Sequence, residues 1–186
     1  MPITNLTQQA KDDLIQNVIF SVSKNAAFQR NKIYGKEKLS PNDSKIFKVY
    51  LKCKLTGILA EIASHLNYTD EEHYKTITRF AEEISHDYRL WLKDGLLHIG
   101  TAQKLINVFW KMSWLLQKDV PTPLHCPFDG IIIKNLDSSV NKMKWTNMTS
   151  ISDYKLLVAA TKSKLKGESI AHWELINYNN WNGVTV

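Results

Sequence analysis

The chain has 186 residues, 44% of them apolar, with 7 Gly and 5 Pro; it is long enough to bury a core, too apolar for disorder and too poor in Gly and Pro for a fibrous repeat. Lys and Arg number 24 against 18 Asp and Glu, a net charge of +6 that allows long-range attraction to nucleic acid or other anions. Its two cysteines, Cys53 and Cys126, are too few for a disulfide framework or a paired-cysteine zinc site. The first residues lack a basic start followed by an apolar stretch, and no run approaches the ~18 apolar residues of a membrane span, so a cytoplasmic setting without a membrane partner is expected.

In chain order, Leu14, Ile15, Val18, Ile19 and Val22 recur at helical spacing and predict a helix from about Leu6 to Phe28. Gln29 to Leu39 is polar and reads as a loop. Ser40-Pro41 starts a second helix, Ser as N-cap and Pro at the first helical position. That helix continues to about Leu66 with a divided apolar pattern: Ile46, Tyr50 and Cys53 on one side, Leu55, Leu59, Ile62 and Leu66 on another. The division implies either cover on two sides or a bend near Gly57.

Thr69-Asp70-Glu71-Glu72 is a capping-box pattern. It opens a helix whose Ile77, Phe80, Ala81, Ile84, Tyr88 and Trp91 fall within about 100° of arc, ending at Asp94-Gly95. His98 to Gln117 is apolar nearly all round and predicts the centre of a bundle. Pro121 and Pro123 follow, and Pro127 is read as the first turn of a short helix through Leu136 that includes Ile131-Ile132-Ile133. Polar residues 137–150 read as a linker between a helical core, 1–136, and a small helical extension, 151–186. The extension is expected to hold helices from about Ser152 to Lys164 and Glu168 to Asn177, a break at Gly167, and a frayed tail from Asn179. The fold class is all-α, a multi-helix bundle-like domain.

Four constellations carry candidate chemistry. Lys104, Asn107, Lys111 and Lys118 share one narrow side of the central helix, bordered by Trp110 and Trp114. Ammonium groups meet phosphates and indoles stack on bases, so this side, with Arg89 and the other arginines Arg30 and Arg79, is the expected contact for RNA or DNA. The bland alternative is lysine stems covering apolar surface while the Trp rings complete the core.

Arg79 is followed after six residues by His86. This pair resembles that of the all-α HEPN ribonucleases. The resemblance implies a metal-independent RNA cleavage with His86 as general acid/base and Arg79 stabilising the phosphorane, in a cleft between two copies of the chain. Read from spacing alone, Arg79, Glu82 and His86 form a solvated face opposite the apolar stripe.

The loop with His125, Cys126 and Asp129 among three prolines is rigid, and a helix start beyond Pro127 would lower the pKa of a nearby thiol. Its His and Cys, with remote His98, do not form a recognisable metal-ligand spacing, and no metal or cofactor is expected. Last, Trp145, Tyr154, Trp173, Tyr178 and Trp181 suit docking of the C-terminal helices onto the bundle. The leading expectation is a non-enzymatic binding or adaptor module, associated with nucleic acid through the Lys/Trp face. The ribonuclease, with its homodimer, and a ligand-free structural or oligomerisation module are the alternatives.

Overall fold

The computed structural model describes residues 3–29, 33–35 and 39–181, and over these the chain is all-helical, with seven α-helices and no named strand. They are α1 (Ile3–Phe28), α2 (Pro41–Ser64), α3 (Asp70–Asp87), α4 (Ile99–Leu116), α5 (Gly130–Lys134), α6 (Ile151–Leu165) and α7 (Ile170–Trp181), with 3-10 turns at Lys93–Gly95 and Trp145–Asn147. None of the described helices is long and apolar enough to cross a membrane.

Helix α4 is the hub. Helices α1, α2, α3 and α6 and the Trp145–Asn147 turn all pack on it, and Ile99 through Trp110 are buried without a break. A helix that meets neighbours on every side has no solvated face to spare, which is why its sequence is apolar almost all round.

The outer helices differ from the sequence pattern where packing overrides spacing. In α1 the buried line is Ile19, Ser23 and Ala27, while Leu14, Val18 and Val22 are 64%, 44% and 40% exposed. Small residues on that line let α1 lie close along α4, and the Ser23 hydroxyl is satisfied by Ile19 O at 2.7 Å. Helix α2 starts as expected, with Ser40 accepting from Asp43 N and Pro41 at its first position. It is not two-sided: Phe47, Leu51, Leu55, Ile58 and Ile62 form one buried stripe, and Ile46 and Leu66 are exposed.

The Thr69–Glu72 capping box is complete in both directions. Helix α3 stops at Asp87, short of the expected Gly95. Beyond it the backbone turns so that Lys93 N donates to Ile33 O and Gly35 N to Trp91 O, and Leu92 enters the core. The left-handed geometry expected at Gly95 (φ 71°) is present, shared with Asp94 (φ 58°), but it closes the Lys93–Gly95 turn. Likewise the helix expected to have Pro127 in its first turn and to run through Leu136 spans only Gly130–Lys134, with Asp129 as its cap accepting from Ile131 N and Ile132 N.

Within residues 137–150, the Trp145–Met148 part is packed against α4. Val140, Trp145 and Met148 are buried, Gly100 N donates to Met148 O, and a Cβ at Gly100 would come 1.7 Å from Trp145 O. One core cluster extends from Ile19 to Trp173 and includes residues of α6 and α7. Helix α6 ends at left-handed Lys166 and Gly167 (φ 49° and 104°). The tail expected to fray is helical to Trp181, and 182–186 lie outside the described residues.

Candidate functional site

The α4 stripe is built inward. The Lys104 ammonium lies 3.3 Å from Asp129 Oδ2 with both side chains nearly buried, and it sits over the Trp145 ring. Lys111 donates to both Glu174 oxygens, at 2.7 and 2.8 Å, and lies over the Tyr178 ring. Glu174 is 1% exposed; burial pushes its carboxyl up and the Lys111 ammonium pulls it back. A buried pair of this kind holds as long as both partners are present. Asn107 is fully buried, and Trp110 gives its indole N–H to Pro121 O. Trp114 is half-buried against His172, and Lys118, just past the helix end, is exposed. The sequence stripe is therefore not one surface: Lys104, Asn107 and Lys111 face protein, and Lys118 faces solvent.

Asn107 instead joins a polar spine through the core. The Tyr68 hydroxyl lies 2.9 Å from Thr76 Oγ1 and 3.4 Å from His73 Nδ1. His73 Nε2 is 2.8 Å from Asn107 Oδ1, and Asn107 Nδ2 donates to the Tyr154 hydroxyl at 2.9 Å. His125 follows, with Nδ1 2.8 Å from that hydroxyl and Nε2 3.1 Å from Asp70 Oδ1, while Lys162 binds Asp70 Oδ2. The amide oxygen and the ionised carboxylate only accept, so both imidazoles carry their proton on Nε2, and Tyr154 donates to His125 Nδ1. Polarity then runs in one direction, from His73 to Asp70.

Burial drives the His73 imidazole down to about 3 and also lowers His125, so both are neutral at pH 7. The hydrogen bond from His125, then Lys162, holds the Asp70 carboxyl far below the usual range. Burial raises the Tyr154 phenol and the Cys126 thiol well above their ordinary values. For Cys126 this reverses the sequence expectation, because loss of water outweighs any effect of the helix start. His125 thus belongs to the spine, Cys126 to the core, and Asp129 to the α5 cap and the Lys104 pair. Among the described residues no group of three or more His, Cys, Asp or Glu is placed to hold a metal ion.

Arg79 and His86 lie on the outer side of α3, seven residues and so about 10 Å apart along its axis. The Arg79 guanidinium is 2.6 Å from Glu61, at the edge of a groove of about 480 Å³ between α2 and α3. His86 does not line that groove; its ring is 89% exposed and 3.0 Å from Asp87. Arg89 is exposed, and Arg30 lies outside the described residues.

The exposed positive face that sequence reading missed is on α2. Lys45, Lys48 and Lys52 fall within about 60° of arc. The first two are exposed and Lys52 donates to Asn17 of α1 at 2.7 Å. Among the described residues none of the three has a carboxylate partner, and exposed Ile46 and Val49 border them. The neighbouring Asp43 is engaged by the Ser40 hydroxyl. A running charge sum would have found the region: residues 30–54 hold eight basic and two acidic side chains, a surplus of six, and the remainder of the chain balances. No family model, curated protein or solved structure matches the chain.

Proposed function

We propose that the protein is a non-catalytic binding module for nucleic acid, and that α2, through Lys45, Lys48 and Lys52, is the face that meets the phosphates. The observation that carries this reading is the location of the charge: the whole net charge of +6 resides within residues 30–54, and on α2 Lys45 and Lys48 are exposed, Lys52 is half-exposed beside Asn17, and none of the three has a carboxylate partner among the described residues. Buried ion pairs such as Lys111–Glu174 offer a phosphate nothing, because both charges are already spent on each other. The histidines, tyrosine and thiol of the interior are engaged or buried, so binding rather than chemistry is what the surface supports. Such contacts are sequence-independent, and each neutralised phosphate releases counterions.

Fluorescence anisotropy with a labelled 25-base-pair duplex tests this. Three phosphate contacts give a log–log salt slope near −2.7, and affinity falls roughly 40-fold between 50 and 200 mM salt. Binding that does not vary with salt, or no binding at 50 mM, would overturn the reading.

A further inference from the structure

A cleft of about 580 Å³ opens between residues 122–124, the start of α3 and the α6–α7 connection, with Asp70 and Lys162 on its wall. The two partners of Asp70 differ in kind. On Oδ1 the donor is His125, whose side chain is 0% exposed and which is stacked on Tyr74 and wedged edge-on against His73 and Tyr154. That donor cannot leave without opening the core. On Oδ2 the donor is Lys162, half exposed on a flexible four-carbon stem. An ion pair of that exposure is weak and exchangeable. One side of the carboxylate is therefore fixed by the fold, and the other is held by a group that can swing into solvent.

We infer that this cleft binds a small organic cation, a primary amine or guanidine, whose charged group displaces Lys162 from Asp70 Oδ2 and whose carbon chain lies along the wall at Leu124. The spine from His73 to His125 ends on the carboxylate and not on the lysine, so the rigid, preorganised element of the site is an anion. Glu168 on the same cleft supplies a second carboxylate for a ligand with two charged ends. Partly exposed Leu124 on the cleft wall gives the hydrocarbon between those ends an apolar surface to cover.

Isothermal titration with agmatine, using tetramethylammonium at equal ionic strength as the comparison cation, tests the assignment. Agmatine binds and tetramethylammonium, which has no N–H donor, does not. Asp70→Asn weakens agmatine by about tenfold or more, since a charge-assisted hydrogen bond is lost. Lys162→Met strengthens it by about threefold to fivefold, the worth of the exposed pair it removes. The second variant keeps the test decisive even if Asp70→Asn disturbs the α3 start. Weaker agmatine binding by Lys162→Met, equal binding of both cations, or no binding by the wild type each overturns the proposal. So does uptake of inorganic phosphate that Lys162→Met abolishes, which would make the cleft an anion site.

Discussion

Two helices carry lysines at regular helical spacing, and the fold uses them in opposite ways. On α4, Lys104 and Lys111 are folded inward onto Asp129 and Glu174. On α2, Lys45, Lys48 and Lys52 line an outer face with no carboxylate opposite them among the described residues. The difference lies in the neighbours. Helix α4 is the hub, so its polar side is met by later segments, the α5 cap and α7, each bringing one acid. Helix α2 buries only one stripe and leaves the rest to solvent. Spacing on a helix defines a face; what packs against the helix decides whether that face reaches a partner.

The largest effect is expected at the buried pairs of α4. Lys111→Ala leaves the Glu174 carboxyl buried without its partner, and should cost about 3–5 kcal/mol in urea unfolding. Replacing both partners, Lys111→Met with Glu174→Leu, should restore most of that loss. A single variant as stable as wild type would mean that Lys111 is in reality a surface lysine.

Acid should then separate the two regions. His73 is neutral in the fold with a pKa of about 3 and titrates near 6.5 when unfolded. Only the unfolded chain takes up a proton between those values, so stability is complete above about pH 6.5 and declines as pH falls toward 3. The decline is about 1.4 kcal/mol per pH unit for each such histidine. Unfolding followed between pH 7 and 4 should show it, while duplex binding by the folded protein should not change in step with that decline, because the histidines of the spine are buried away from the α2 face. A pH-independent midpoint over that range would contradict the buried neutral spine.

The smallest expected effect is at His86. His86→Ala changes an exposed ring on a surface helix, and should leave stability within about 0.5 kcal/mol and duplex affinity unchanged. RNA cleavage in chelator by the wild type, lost in this variant, would instead revive the ribonuclease reading.

Much of the architecture was legible because its signals are local. The Ser40-Pro41 start, the Thr69–Glu72 box and the apolar circumference of α4 each depend on residues within a few turns. The faces of α1 and α2 were legible only in part: Ile19, Leu55 and Ile62 are buried as expected, but the close α1–α4 pair prefers Ser23 and Ala27 over the larger Leu14 and Val18, a choice made by a neighbour distant in sequence. The site failed for the same reason. Lys104 and Lys111 look solvated until Asp129 and Glu174 are brought to them, and His125 looks like a loop residue until Asp70 and Tyr154 arrive from α3 and α6. The α2 face, by contrast, needed only a local count of charge.

One paired measurement separates where the positive charge is placed from how much of it there is. Duplex affinity is compared at 50 mM salt for Lys45→Glu/Lys48→Glu/Lys52→Glu and for Lys118→Glu/Lys142→Glu/Lys166→Glu, three exposed lysines elsewhere. Both triple variants change the net charge equally. The α2 variant should lose about 100-fold or more in affinity while the other loses less than about threefold. Equal losses would show that net charge alone governs binding and would contradict the assignment of α2 as the nucleic-acid face.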